Sequence, residues 1–216
     1  MKTKQEIISE FVHGITLDVG YAQAPNPFLK DVYGIDIVEN KNANYKETHT
    51  VDLNAQPFPF TDKMFDTVLI GCTLAHVANP LSVLIEANRV LKPKGRLVVT
   101  SPNPHYYWEV VLNVFYNFFK NRVSGAKKEE HFYSFSRFDM RTICDRAGFD
   151  IETERGYLFA LVKTKIRFNP INYPGIAYEI VYVCNKVREP EHYTMTQTSN
   201  SSGKMRKIQT NYVQCK

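Results

Sequence analysis

Three aspartates sit at or near the ends of short β-rich runs: Asp18 in Ile15-Thr16-Leu17-Asp18-Val19, Asp36 in Val32-Tyr33-Gly34-Ile35-Asp36-Ile37, and Asp52 in His49-Thr50-Val51-Asp52-Leu53. A carboxylate at a strand tip can accept hydrogen bonds from ribose hydroxyls, the chemistry that a nucleoside-bearing ligand needs. Each one alone reads equally well as a turn or capping residue. Three of them, after successive runs, favour a shared nucleoside site. Two histidines, His76 and His131, could take a proton from an acceptor hydroxyl near neutral pH. Each also has a structural reading, His76 at the start of a helix and His131 packing at a pocket edge.

The runs that carry the acids must be strands. Phe65–Ile70 and Arg96–Thr100 add two more, almost continuously apolar, as strands buried on both faces of a parallel sheet are. Lys4–Val12 reads as a short helix. Pro80–Lys92 reads as a longer one, capped by Asn79, with Pro80 at its first position and Lys92-Pro93-Lys94-Gly95 as its stop. Alternating strands and helices imply parallel βαβ units. Further on, His105–Arg122 reads as an aromatic helix, either a lid over an acceptor or a face turned to the core or to a second copy in a homodimer. Ser136–Ala147 reads as a helix with Ser136 and Asp139 as a capping pair and Gly148 as its stop. Phe149–Thr153 and Ala177–Cys184 complete seven strands, with Arg167–Gly175 a loop between them. Residues 1–187 form one domain. Residues 188–216 are polar and expected to form a flexible tail.

Bulk properties narrow the function classes. The chain has 216 residues and a net charge of +5, with much of the excess in the tail. Such clusters are more often solvated faces than nucleic-acid sites. The four cysteines, Cys72, Cys144, Cys184 and Cys215, form no CxxC pair. Spacing therefore suggests neither a metal site nor a disulfide framework, and a cytoplasmic protein with reduced thiols is expected. The start, Met1 to Glu6, is polar and has no apolar signal core. No apolar run approaches the ~20 residues that cross a membrane.

The order of these motifs resembles that of class I S-adenosylmethionine-dependent methyltransferases. Leu17-Asp18-Val19-Gly20 is similar to their first motif, Gly34-Ile35-Asp36 to their second-strand acid, and Val51-Asp52-Leu53 to the segment that contacts adenine. Phe58-Pro59-Phe60 leading to Phe65-Asp66-Thr67-Val68 resembles the approach to their fourth strand. Leu74-Ala75-His76-Val77-Ala78-Asn79-Pro80 resembles their post-strand segment with its histidine, and Arg89-Val90-Leu91-Lys92-Pro93-Lys94-Gly95-Arg96-Leu97 is similar to the helix-turn-strand that most marks their small-molecule branch. The likeness spans about residues 10 to 160. It implies a Rossmann-like, mostly parallel seven-stranded sheet flanked by helices, from which the aromatic helical insertion after the fifth strand is a departure. It implies S-adenosyl-L-methionine as cofactor, contacted by Asp18, Gly20, Tyr21, Asp36, Ile37, Asp52, Leu53, Gly71 and Cys72, with His76 and His131 as candidate bases.

One feature departs from the family pattern. The loop reads Asp18-Val19-Gly20-Tyr21-Ala22-Gln23-Ala24-Pro25, and only the first of three expected glycines is present. Alanine is tolerable at the other two if φ stays negative. The expected activity is methyl transfer to a small-molecule, lipid-like or glycan-precursor acceptor, with oxygen favoured. The alternative is a methyltransferase-like binding module without catalysis. An RNA methyltransferase guided by the basic tail ranks below both, and a dehydrogenase is disfavoured because Gly-x-Gly-x-x-Gly is absent.

Overall fold

The computed structural model describes residues 1–40, 45–55, 57–108, 110–111, 133–161, 164–190, 192–195 and 210–213. A seven-stranded sheet organises the chain. Its strands are β1 (Thr16–Val19), β2 (Val32–Asp36), β3 (Glu47–Thr50), β4 (Phe65–Gly71), β5 (Leu91–Pro102), β6 (Phe149–Tyr157) and β9 (Glu179–Lys186), in the spatial order β3-β2-β1-β4-β5-β9-β6. The first five run parallel. Strand β9 is antiparallel to both β5 and β6. The order reverses between β1 and β4, so the crevice beyond their carboxyl ends is where such sheets bind ligands.

Side-chain alternation divides the core between two faces. Leu69, Val98 and Val181 pack with Ile7 and Ile8 of helix α1 (Lys4–Ser9). Their strand neighbours Val68, Ile70, Leu97, Val99, Ile180 and Tyr182 belong to the larger core on the other side. There α2 (Pro80–Val90) buries Val83, Leu84, Ala87 and Val90, and α3 (Arg137–Arg146) buries Met140 and Cys144. Each large apolar side chain so covered contributes about 1.5–3 kcal/mol.

The capping expected from sequence is present. Asn79 accepts from the Ser82 amide at 3.2 Å. Ser136 and Asp139 form a reciprocal capping box, and Gly148 turns the chain at φ 87°. The stop of α2 differs in detail. The helix ends at Val90, Leu91 already pairs with Phe65, and the left-handed turn falls on Lys94, not Gly95. Gly95 is needed for a different reason: a Cβ there would lie 2.8 Å from the Lys92 carbonyl.

Other boundaries move as well. Helix α1 stops at Ser9, and β3 begins two residues before His49 and leaves the sheet before Asp52. Strand β6 runs on to Tyr157. The stretch expected to be loop holds β8 (Arg167–Phe168), which pairs with β7 (Phe159–Ala160), and a 3₁₀ turn at Pro174–Ile176. In the polar tail, β10 (His192–Met195) pairs antiparallel with β11 (Thr210–Val213). The tail expected to be flexible thus contains a paired two-stranded element. A helical turn begins at Tyr107, and most of the aromatic insertion, 112–132, lies outside the described residues.

Candidate active site

A cleft of about 410 Å³ opens at the carboxyl ends of β1, β2 and β4, within the usual size for small-molecule sites, about 300–1,000 Å³. Asp18, Gly20, Asp36, Ile37, Asp52, Leu53, Gly71, Cys72 and His76 all line it. The sheet order explains their sequence across the cleft, from Asp52 beyond β3, through Asp36 and Asp18, to Gly71 and Cys72 at the end of β4.

Asp18 is 4% exposed, and Tyr45 donates its hydroxyl proton to Asp18 Oδ2 at 2.6 Å. Burial pushes the Asp18 carboxyl up to about 7; the Tyr45 hydrogen bond opposes this and the charge of Asp36 adds to it. Tyr45 in turn accepts from the Asn26 amide at 3.0 Å. Asp36 is fixed by two backbone amides, Ala22 to Oδ2 at 2.9 Å and Val38 to Oδ1 at 3.1 Å. Asp52 accepts from the Asn54 amide at 2.9 Å, which turns the chain so that Val51 is buried and Leu53 packs against the core.

The loop after β1 accommodates its alanines. Gly20 has φ 79°, and a Cβ there would lie 1.9 Å from Thr73 Oγ1, so this position requires glycine. Thr73 Oγ1 donates to the Val19 carbonyl at 3.1 Å and holds the two strand ends together. Neither Ala22 nor Ala24 has positive φ. The two missing glycines therefore leave no backbone strain.

Gly71 is bare for another reason: a Cβ there would meet no atom within 4 Å. Cys72 follows with φ 59°, a strained value for a residue with a side chain. Its thiol donates to Glu179 Oε1 at 2.9 Å, and the Lys4 ammonium reaches the same oxygen at 3.0 Å. Burial, together with the Glu179 carboxylate, pushes the Cys72 thiol up to about 12, so it stays protonated at neutral pH. Burial is the largest influence on Lys4 and works against its charge, but Glu179, Cys72 and Tyr157 together outweigh it and raise the Lys4 pKa.

Tyr21 needs a correction. It does not line the cleft. It is 2% exposed, its ring fills the space left by Gly34, where a Cβ would lie 2.8 Å from Tyr21 Cδ1, and it packs on Tyr45 at 5.1 Å between ring centroids. His76 is exposed on the 3₁₀ turn Thr73–His76, at the cleft wall. His131 lies outside the described residues.

Sequence reasoning missed Lys4, Gln5, Ile8 and Asn26 on the lining and Glu179 and Tyr45 behind it. The amphipathic start with its Thr3–Glu6 capping box signals a docked helix, but nothing local marks Glu179. Among the described residues, no group of three or more His, Cys, Asp or Glu could hold a metal. No described helix is long and apolar enough to cross a membrane.

Comparison with known proteins agrees with this geometry. Residues 17–99 match the family described as Methyltransferase domain. A demethylmenaquinone methyltransferase from Staphylococcus haemolyticus is 31% identical over 139 residues, covering 56% of this chain and 58% of that protein. One from Bacillus licheniformis is 41% identical over 64 residues, covering 30% and 28%. The matches thus span less than two thirds of these relatives' length. Among solved structures, a Thermotoga maritima S-adenosylmethionine-dependent methyltransferase described as a possible histamine N-methyltransferase aligns with a TM-score of 0.62 at 18% identity, covering 84% of this chain and 86% of that one. A putative methyltransferase from Bacillus halodurans gives 0.58 at 20% identity, covering 86% and 99%. By sheet order and solved neighbours, the chain has the Rossmann-like fold of class I S-adenosylmethionine-dependent methyltransferases, and its residues 17–99 match the Methyltransferase domain family.

Proposed function

We propose that this chain is an S-adenosylmethionine-dependent methyltransferase acting on a small, lipid-like or glycan-precursor acceptor, at oxygen. The observation that carries the reading is the convergence of Asp18, Asp36 and Asp52 on one cleft with a bare floor at Gly71. S-adenosylmethionine supplies a methyl group already activated on a sulfonium, so the chain's own task is alignment and water exclusion. On this reading Asp36 holds the ribose hydroxyls, and Val51, Asp52 and Leu53 hold the adenine. Asp18 and Gly20 hold the methionine end, and Gly71 and Cys72 face the reacting centre. Because its thiol stays protonated, Cys72 acts as a wall and not as a nucleophile. On the same reading His76, which lines the cleft, takes a proton from the acceptor hydroxyl.

The lipid-like acceptor class, though not the choice of oxygen, draws on two supports. The relatives are named for demethylmenaquinone, a flat ring on an apolar chain. Beyond the end of β5, at the cleft's end of the sheet though not on its lining, Tyr106, Tyr107, Phe159 and Tyr178 form a connected aromatic group whose outer members could meet such a ring. The test is incubation with S-adenosylmethionine carrying a labelled methyl and a panel of demethylquinols, hydroxylated lipids and glycan precursors. Transfer of label to a panel member is the expected result. Tight cofactor binding without transfer to any member would defeat the acceptor assignment and leave the cofactor assignment standing.

Asp36→Ala is expected to weaken S-adenosylhomocysteine binding by about 1–2 kcal/mol, the loss of ribose hydrogen bonds. Because Asp36 also holds the Ala22 and Val38 amides, Asp36→Asn serves as the milder companion, and calorimetry reads both. Unchanged affinity in Asp36→Ala would show that the ribose lies elsewhere.

A further inference from the structure

We propose that the excursion between β6 and β9, residues 158–178, is a docking face for the surface of an anionic lipid bilayer. The excursion leaves the sheet at Tyr157 and returns at Glu179, which pairs with Pro102 at the carboxyl end of β5. It therefore stands at the same end of the sheet as the cleft, and Glu179 itself binds the cleft residues Cys72 and Lys4. Its sequence holds Lys163, Lys165 and Arg167 and no acidic residue.

Its large apolar side chains are turned out to solvent: Ile166 is 54% exposed, Phe168 44%, Tyr173 72% and Ile176 48%. The support beneath them is firmly anchored. Asn103 Nδ2 donates to the Gly175 and Ala177 carbonyls at 3.1 and 2.8 Å, and the Tyr106 and Tyr107 hydroxyls both donate to the Ala160 carbonyl at 2.7 Å. Phe168 packs at a tilt on Phe159, and Phe159 meets Tyr106 edge-on. Exposed apolar groups on a fixed support mark an interaction site.

The charge pattern selects the partner. Lys165 and Arg167 sit beside Ile166 and Phe168 in a stretch exposed throughout, so the apolar side chains can enter the acyl boundary while the long cationic ones reach the level of the lipid phosphates. Tyrosine is the residue favoured at that depth. A second copy of this chain fits poorly, because an isologous contact would set these cations against their own equivalents. The inference does not depend on methyl transfer, although a lipid-like acceptor would then reach the cleft from the docked side.

The test is co-sedimentation of the full chain with vesicles of phosphatidylglycerol and phosphatidylcholine, compared with phosphatidylcholine alone, without cofactor or acceptor. The wild type is expected to partition onto the anionic vesicles at least tenfold better than onto the neutral ones, and less well as salt rises. Ile166→Ser/Phe168→Ser and Lys165→Glu/Arg167→Glu are each expected to lose at least tenfold, the charge variant with its thermal midpoint unchanged because both side chains are exposed, the apolar variant with a small decrease from the lost Phe168–Phe159 contact. A wild type that ignores anionic vesicles overturns the proposal, as do variants that bind like wild type, which would place binding in another basic segment such as the tail. Conversion of a wild-type dimer to monomer by Ile166→Ser/Phe168→Ser, with vesicle binding unchanged, also overturns it and gives the face to a second copy.

Discussion

Gly71→Leu is expected to reduce S-adenosylhomocysteine affinity by at least about a hundredfold, roughly 2.7 kcal/mol, while leaving the fold intact. Gly71 ends β4 and lines the cleft, and a Cβ there meets nothing within 4 Å. Its φ is outside the left-handed region, so a side chain brings no backbone strain. Replacing glycine in a strand lowers the entropy of the unfolded chain and stabilises by about 0.5–1 kcal/mol. The leucine side chain can go only into the cleft. Calorimetry and thermal melting separate the two effects. Gly20→Ala cannot separate them, because the new methyl would strike Thr73 Oγ1 and the fold itself would give way. A Gly71→Leu protein that melts normally and binds normally would show that the nucleoside does not cross the floor of this cleft.

Asp18→Asn is expected to make the free protein more stable and the cofactor complex weaker. The folded carboxyl is pushed up to about 7 from an ordinary 3.8. A carboxyl raised in the folded state contributes most when protonated. Its contribution is fully present below the unfolded value and is lost as pH rises from about 4 through 7. Above pH 7 the wild type therefore bears the cost of an ionised, buried carboxylate, on the order of 4 kcal/mol for about three pH units. Asparagine is never ionised and can still accept the Tyr45 hydroxyl. The variant should thus be several kcal/mol more stable at pH 8, and the gap should close toward pH 4. Denaturant melts across this range check the sign.

Cofactor binding should run the other way. On the proposed placement of the cofactor, its methionine ammonium would pair with Asp18 only when the carboxyl is ionised. Wild-type affinity for S-adenosylhomocysteine should rise about tenfold from pH 6 to 8 as that one proton is lost. Asp18→Asn should bind weakly at both values. A flat wild-type profile, or an asparagine variant with full affinity, would remove Asp18 from the methionine end.

How much of this was legible in the sequence depends on how local each signal is. Asn79, Ser136, Asp139 and Gly148 act within a turn of their own position, and each is where the sequence puts it. The strand tips with Asp18, Asp36 and Asp52 follow from short apolar runs, and the sheet brings them to one cleft. Tyr21 was not legible, because its destination depends on the vacancy at Gly34 on a neighbouring strand. The Lys4–Glu179 pair joins residues 175 apart in the chain, and no motif announces such a contact. The paired strands β7 and β8 are two residues each, too short for any period to register. Ala22 and Ala24 are tolerable by sequence only on the condition that φ stays negative, and a glycine pattern does not say whether it does. Only the backbone angles reveal that Gly20 alone carries the left-handed turn.

Calorimetric titration of the full chain with S-adenosylhomocysteine tests the central claim most directly. Saturable one-to-one binding in the micromolar range is the expected result. An absence of heat at millimolar ligand would contradict it.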